Sequence, residues 1–266
     1  MAEEIISNTW QFYKELGEEL SVEIIKQKDI IDFFPSAQMR LSFSERSNED
    51  DSYVSIGKDD NPFRKDFHFD FGFGKISPVY MVQLDALLPS WRKQLSDNNS
   101  LLEEDLEIEL LKIEKDHISY KDIQAQKIIF CDGINSMNYS FFQKLPFAFN
   151  KGEMLLLEIK DLPPGNIYKK GLMLAPLSND LWWIGSNYQW EYENAQPSPA
   201  FRESTENTLK NWLKVPYKIL DHKASLRPAT IERRPFVGLH PHHPSIGILN
   251  GMGTKGCSLA PCCRLQ

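Results

Sequence analysis

A glycine-rich segment near the C-terminus is the part of the sequence best suited to hold a ligand. Residues 250–256 read NGMGTKG and follow an apolar run at residues 246–249. The run predicts a strand, and the three glycines predict a turn that leads into a helix. Glycines let a planar or anionic group approach the backbone closely, and a helix start presents free N–H groups. We call this segment the glycine-rich loop and interpret it as a candidate binding loop, although an ordinary glycine turn has the same pattern.

Arg227 is the candidate substrate-binding side chain. It stands directly before Pro228, after residues 222–226, which predict a strand. A guanidinium can bind a carboxylate through two parallel hydrogen bonds, so Arg227 could orient an acidic substrate. A lone arginine is also often a partner in a surface ion pair. We expect the side chain of Arg227 to point into the largest cleft, within reach of the glycine-rich loop.

Three histidines lie close together in the sequence, at His240, His242 and His243. Such a group could bind zinc or nickel. Pro241 and Pro244 predict a loop here, and neither a cysteine nor a carboxylate accompanies the histidines. We therefore predict that these histidines bind no metal.

The helices that would support these residues follow from capping and periodicity. Ser198 and Pro199 predict the start of a helix. Its apolar stripe consists of Phe201, Thr205, Leu209 and Trp212. A first helix is expected to begin at Ser7, and another near Asp85 with Pro89 in its first turn.

Strand predictions complete the fold class. Residues 22–34 predict a strand, and the continuous apolar run at residues 127–131 predicts a strand buried on both faces. Residues 44–66, rich in Ser, Asn, Asp and Lys, predict an exposed loop or irregular hairpin. Helices and strands mix without a strict βαβ alternation. The pattern indicates an α/β plus α+β fold, with a parallel sheet combined with an antiparallel one.

The C-terminal segments resemble a known family. Flavoproteins of the D-amino-acid oxidase and glycine oxidase superfamily carry an R-P-x-T-x-D-x-x-P-x-I-G pattern, then a G-x-G-x-x-G-x-x-L-A-P pattern. Residues 227–238 and 251–261 are similar to these two patterns. Further similar segments occur in the family's order at residues 8–21, 83–95, 125–133, 150–154 and 181–186. The resemblance covers nearly the whole chain.

The resemblance implies an FAD-dependent oxidoreductase. Its reaction would be oxidation of the C–N bond of a small amine or amino acid by hydride transfer to the flavin, with dioxygen as the reoxidant. Arg227 matches the arginine that binds the substrate carboxylate. The residues that match the family's cofactor contacts are Leu110 at the adenine, Gly133 near the diphosphate and ribose, and Gly251, Gly253, Thr254, Lys255 and Gly256 at the flavin.

The sequence departs from the family at three places. The N-terminal strand, G-x-G-x-x-G and helix have no match, and the nearest segment, residues 72–77, lacks the third glycine. Family members also continue into a longer C-terminal helix where this chain has residues 261–266. Met173 stands about where amino-acid oxidases have a tyrosine that holds the substrate carboxylate. We therefore expect the chain to bind FAD poorly or not at all, and the identity of the substrate stays open.

The resemblance also implies two interleaved domains. Residues 1–20, 80–144 and 224–266 are expected to form an incomplete FAD/NAD(P)-binding-type domain. Residues 21–79 and 145–223 are expected to form a substrate domain around an antiparallel sheet.

Charge and hydropathy limit the other function classes. The 30 Lys and Arg against 37 Asp and Glu give a net charge of −7, which argues against a non-specific nucleic-acid binder. No apolar run is long enough to span a bilayer and no signal peptide is evident, so a cytoplasmic protein without a membrane partner is expected. Two alternatives stay open: a tRNA-modifying flavoprotein domain, for which Arg233 and Arg234 are a slight indication, and an inactive truncated fragment. Apart from the dioxygen that the resemblance implies, the sequence itself identifies neither the electron acceptor nor the oligomeric state.

Overall fold

The computed structural model describes residues 2–59, 61–114, 117–178 and 180–263. The chain divides into two compact units, each built from separate segments. Unit 1 comprises Met1–Ile24, Leu84–Asn150 and Leu226–Gln266, and unit 2 comprises Ile25–Gln83 and Lys151–Ser225. Assigning a cofactor to one unit and a substrate to the other remains a proposal.

The helices and strands are numbered along the chain. The α-helices are α1 (Ala2–Leu20), α2 (Ala37–Glu49), α3 (Asn61–Arg64), α4 (Leu84–Asp97), α5 (Pro199–Trp212) and α6 (Gly256–Leu259). The strands are β1 (Ile25–Phe33), β2 (Val54–Ile56), β3 (Phe73–Val82), β4 (Leu111–Ile113), β5 (Ile118–Tyr120), β6 (Ile123–Ala125), β7 (Ile128–Phe130), β8 (Asn150–Glu158), β9 (Ile167–Lys170), β10 (Leu172–Pro176), β11 (Leu181–Gly185), β12 (Lys218–Arg227), β13 (Phe236–His240) and β14 (His243–Asn250). Short 3-10 turns occupy Ile108–Leu110, Gly133–Asn138, Gly253–Lys255 and Ala260–Cys262.

Unit 2 is organised around one large mixed sheet. Its strand order is β12-β8-β11-β10-β9-β1-β3-β2, and β1 runs parallel to β9 while β3, β10 and β11 form antiparallel pairs. The register places Trp182 opposite Leu157, and Ile184 opposite both Leu155 and Leu174. Because side chains alternate along a strand, these apolar residues share one face. They are at most 1% exposed and form the core of the unit.

Helix α5 covers this core. The Ser198 hydroxyl accepts a hydrogen bond from the Phe201 N–H at 3.3 Å, which caps the first turn. Phe201, Thr205, Leu209 and Trp212 are all buried, as their spacing predicts. The predicted capped helix is therefore confirmed.

Unit 1 contains two small sheets. In the order β13-β14-β7, strand β14 is antiparallel to β13 and parallel to β7. Phe130, Phe142, Ile246 and Ile248 form the core beside this sheet. Strands β4, β5 and β6 form a separate antiparallel sheet. Because β7 and β14 are parallel neighbours, the loops after them leave from the same edge of the sheet.

Three sequence predictions about local elements are wrong. Residues 44–66 are not a loop or hairpin alone, since they contain the end of α2, then β2 and α3. Helix α2 was missed because none of its residues is buried, so it has no apolar stripe. Helix α1 begins before Ser7, and Pro89 lies inside α4 beyond the first turn.

The mixed α/β fold class predicted from the sequence is confirmed by the two units. Parallel pairing occurs in both units, beside the antiparallel pairs that dominate unit 2. A search of the described residues for a helix long and apolar enough to cross a bilayer finds none.

Candidate functional site

The candidate site lies at the edge of unit 1 where β7 and β14 end. Asn250 is the last residue of β14 and is 5% exposed. Its side-chain Nδ2 donates to the Gly133 carbonyl at 2.7 Å and to Ser136 Oγ at 2.9 Å, while its Oδ1 accepts from the Gly251 N–H at 2.7 Å. One amide therefore ties the loop after β7 to the glycine-rich loop.

The glycine positions at this edge differ in what a side chain would meet there. Gly251 has φ +78°, and a Cβ there would stand 2.6 Å from Thr230 Cγ2, so the fold itself requires glycine. Gly133 and Gly253 also have positive φ, at +65° and +56°. At Gly256 a Cβ would meet no heavy atom within 4 Å. Gly256 therefore leaves open space beside the backbone that a ligand could enter.

Arg227 lies beside this loop because the residue that follows its strand is hydrogen-bonded to the loop. It is the last residue of β12, and its Nη1 donates to Asn150 Oδ1 at 2.8 Å. The next residue, Pro228, accepts a hydrogen bond from the Gly253 N–H at 2.9 Å through its carbonyl. Asn150 is only 3% exposed, so its amide is a fixed support for the guanidinium. Arg227, Gly133 and Gly253 are thus brought together within one unit.

That Arg227 points into the largest cleft stays a prediction. A cavity of about 720 Å³ lies in unit 2, beside α5 and the turn at Gly171. Arg227 does not line it.

Thr254 and Lys255 are both exposed at the outer side of the glycine-rich loop. They belong to the 3-10 turn Gly253–Lys255, which leads directly into α6. A helix therefore follows the glycines, as expected, but α6 has only four residues and carries little of a helix dipole. The positive charge at this edge comes mainly from the side chains of Lys255 and Arg227.

Leu110 lies apart from the other predicted contact residues. It ends the 3-10 turn before β4, in the region of the second sheet, and it is 41% exposed. Its neighbours Ile108 and Leu111 pack against the core of unit 1 instead. The predicted contact of Leu110 with an adenine remains a prediction.

The weak glycine motif at residues 72–77 has a packing explanation. The segment enters β3, which pairs antiparallel with β1, so the glycines are followed directly by a strand and not by a helix. A Cβ at Gly74 would stand 2.4 Å from the ring of Phe43, so that ring occupies the space. The segment is part of a sheet and does not have the strand–loop–helix geometry of a phosphate-binding turn.

The histidines meet at the hairpin between β13 and β14. The rings of His240 and His243 stack with centroids 5.1 Å apart, and His240 Nδ1 accepts from the His242 N–H at 3.2 Å. Burial and the neighbouring imidazoles lower the pKa of His240. Within the described ranges, no group of three His, Cys, Asp or Glu side chains is arranged to hold a metal ion.

Two titratable groups near the loop after β7 have a raised pKa. Burial raises the pKa of the Cys131 thiol, and the Asp132 carboxylate raises it further. The same two causes raise the pKa of Tyr139. The edge therefore offers hydrogen-bond donors and the cations of Arg227 and Lys255 rather than a thiolate nucleophile. Its chemistry is binding and orientation.

Solved structures with the same fold include several oxidases. Glycine oxidase from Bacillus cereus ATCC 14579 is 14% identical with a TM-score of 0.76, and the match covers 98% of this chain and 78% of that one. Iminodiacetate oxidase from Chelativorans sp. BNC1 is 16% identical with a TM-score of 0.73, covering 97% and 77%. L-alpha-glycerophosphate oxidase from Mycoplasma pneumoniae, with FAD bound, is 12% identical with a TM-score of 0.67, covering 90% and 71%.

These similarities confirm the resemblance at the level of the fold. Identities this low establish shared architecture and leave the activity of this chain to be argued from its site. No protein-family model matches the sequence.

Proposed function

We propose that this protein is an FAD-dependent oxidoreductase that oxidises the C–N bond of a small amine or amino acid. One observation carries the proposal. Arg227 is bonded through Pro228 to the glycine-rich loop, at the edge where the parallel strands β7 and β14 end. Ligands of open α/β sheets bind at this edge. The fold shared with glycine oxidase supports the same reaction class.

The residues at this edge fit the flavin end of FAD. Gly256 leaves open space at the backbone, and the exposed Lys255 supplies positive charge next to it. Gly133 lies on the loop after β7, and its carbonyl accepts a hydrogen bond from the Asn250 side chain. Because Gly133 has no side chain, its backbone is accessible to a ligand. These residues would hold the cofactor. When bound, the flavin would accept a hydride from the C–H bond beside the amine.

Arg227 has the role of orienting the substrate. Its guanidinium can donate two parallel hydrogen bonds to a carboxylate, which fixes the position of the α-carbon of an amino acid. Asn150 is a positioning residue, because its buried Oδ1 receives Nη1 and limits the directions that the guanidinium can take. This proposal requires no general base from the chain. The substrate ammonium group can lose its proton to water before the substrate binds.

The test is flavin binding by the whole chain. Riboflavin and FAD would each be titrated into the protein and followed by quenching of flavin fluorescence. The missing match to the G-x-G-x-x-G turn predicts weak binding, and the proposal requires that this binding be saturable. Gly256→Val fills the open space, and we expect it to weaken binding of both flavins at least tenfold. Gly165→Val is the matched control, because a Cβ at Gly165 in unit 2 also meets nothing within 4 Å. It should leave binding unchanged.

Two results would overturn the proposal. One is the absence of saturable binding of either flavin up to its solubility limit. The other is binding that Gly256→Val and Gly165→Val affect equally, because the flavin would then not lie on the glycine-rich loop.

A further inference from the structure

Three histidine rings meet at the turn of the hairpin formed by β13 and β14. The His240 and His243 rings stack with centroids 5.1 Å apart, and the His242 ring lies 5.9 Å from that of His240. The Phe141 ring packs against both stacked rings, with centroid distances of 6.1 and 5.9 Å. We call the three histidines the imidazole cluster. Histidine is the residue type whose charge ordinarily changes between about pH 5 and pH 8, so this turn has the chemistry of a proton sensor.

The pairing of the two strands is sparse next to the turn. Leu239 pairs with Gly247, and the next pair toward the turn is His240 with His243. Residues 244–246 therefore have no partner on β13. In the described part of the sheet β13 is also an edge strand, supported by β14 alone. The contacts within the imidazole cluster thus close a part of the hairpin that the strand ladder hardly supports.

One hydrogen bond of His240 depends on its protonation state. Its Nδ1 accepts the His242 backbone N–H at 3.2 Å. A ring nitrogen accepts a hydrogen bond only without a proton, so the ring that makes this contact is the neutral tautomer with its hydrogen on Nε2. A proton from solvent that binds Nδ1 turns the acceptor into a donor. Two N–H groups then face each other, and the hydrogen bond is lost.

The surroundings of His240 oppose a positive charge on its ring. Burial, and then the imidazoles of His243 and His242, lower the pKa of His240. These two imidazoles are the titratable groups that act on it from the hairpin itself. From the segment after the 3-10 turn Gly133–Asn138, the contact is the Phe141 ring, which carries no charge. The closed turn is therefore the form in which His240 is neutral.

We propose that the β13–β14 hairpin opens at its turn when His240 binds a proton. Because His240 binds a proton more readily in the open form, the closed form loses stability as the pH falls through the ordinary pKa of histidine. Opening relieves the repulsion within the imidazole cluster and hydrates the imidazolium ring. The change lies within unit 1 and does not depend on the proposed oxidoreductase function.

The test is hydrogen exchange of the whole chain, measured by mass spectrometry on peptides that cover residues 236–248. Protection would be compared at about pH 7.5 and about pH 5.5, on either side of the ordinary histidine pKa, after correction for the intrinsic exchange rate. We expect protection of the hairpin to fall about fivefold at the lower pH, the size that loss of one hydrogen bond gives. The sheet of β4, β5 and β6 is the internal reference in unit 1, and its protection should not change.

Three variants separate the charge of His240 from its packing. His240→Asn offers an uncharged acceptor near the position of Nδ1, so the hairpin should be equally protected at both pH values. His240→Lys is charged at both pH values and offers no acceptor, so protection should be low at both. His68→Asn is the matched control, because His68 is an exposed histidine in unit 2. It should keep the wild-type response.

Three results would overturn the proposal. One is equal protection of the wild-type hairpin at both pH values. Another is an equal loss of protection in the reference sheet, because the protein would then unfold globally at the lower pH. The third is equal protection in His240→Asn and His240→Lys, because loss of the ring and not its charge would then control the turn. The first two results are measured on the wild-type protein alone, so they decide the question whether or not a variant folds.

Discussion

Glu153→Ala is expected to destabilise the protein by about 3–5 kcal/mol, the usual cost of removing one partner from a buried ion pair. The Glu153 side chain is fully buried, and the Lys151 side chain is 4% exposed. Glu153 Oε2 accepts the Ser198 N–H at 2.6 Å and lies 3.0 Å from His222 Nε2. Oε1 accepts the Ser198 hydroxyl at 2.7 Å and lies 3.4 Å from Lys151 Nζ. Alanine would leave a buried ammonium without its carboxylate.

The measurement is urea unfolding followed by tryptophan fluorescence. Trp182 and Trp212 are buried in the core of unit 2, so they report on the unit that contains Glu153. Glu158→Ala is the control, because its carboxylate is 41% exposed and lies 3.9 Å from Lys160. An exposed pair of this kind contributes about 0–1 kcal/mol. A loss for Glu153→Ala no larger than that of Glu158→Ala would refute the reasoning.

A double variant separates charge from packing. Lys151→Met/Glu153→Leu removes both buried charges and keeps apolar volume, so it should recover much of the stability lost in Glu153→Ala. If the double variant is less stable than the single one, the loss arises from packing or from the cap of α5 instead.

The same network predicts a dependence of stability on pH. Burial alone would raise the pKa of the Glu153 carboxyl, but the N–H and hydroxyl of Ser198 and the Lys151 ammonium outweigh it and lower the pKa below 4.5. A lowered folded-state pKa means that the stabilisation is complete above the unfolded-state pKa. It is lost as pH falls through the folded-state pKa. Glu153→Gln should therefore flatten the loss of stability below about pH 4.5.

Two further variants test the site in unit 1. Arg227→Leu should weaken binding of an amino-acid substrate about 10–100-fold, since a charged hydrogen bond contributes about 1.5–3 kcal/mol, while flavin affinity stays unchanged. Arg234→Leu, an exposed arginine in the same segment, is the control, and equal substrate affinity in both variants would contradict the carboxylate role. Asn250→Ala removes three hydrogen bonds and leaves buried groups of the loop after β7 without donors, so it should cost about 1–3 kcal/mol in urea unfolding. Asn250→Asp keeps the acceptor to Gly251 but loses both donated bonds, and stability equal to wild type in either variant would show that the amide does not join the loops.

The sequence predicted those helices and strands whose caps and apolar patterns lie within one short segment. Helix α5 could be predicted because its cap, Ser198, and its apolar stripe lie within 15 consecutive residues. Helix α2 could not, because it buries none of its side chains and no periodic apolar pattern follows its cap, Ser36. The glycine-rich loop and Arg227 could be proposed from the sequence because a cluster of glycines, or an arginine before a proline, suggests ligand binding without knowledge of the fold.

The residues that support the site could not be predicted in this way. Asn250 joins a carbonyl that lies 117 residues earlier in the chain. Asn150 meets a guanidinium 77 residues later. Either asparagine would be taken for an ordinary turn residue in the sequence, because only the tertiary fold supplies its partner.

The segmental build of the two units has a consequence for the order in which the chain folds during synthesis. Unit 2 is complete once Ser225 has been made, so its sheet and α5 can assemble while translation continues. Unit 1 still needs β14, the middle strand between β7 and β13, which ends at Asn250. Among the described strands β14 is the only neighbour of β7 in this sheet, so until β14 is made the apolar strand β7 is exposed to pairing with other chains. We therefore infer that unit 1 is the last to form and the more dependent on protection from aggregation as the protein leaves the ribosome.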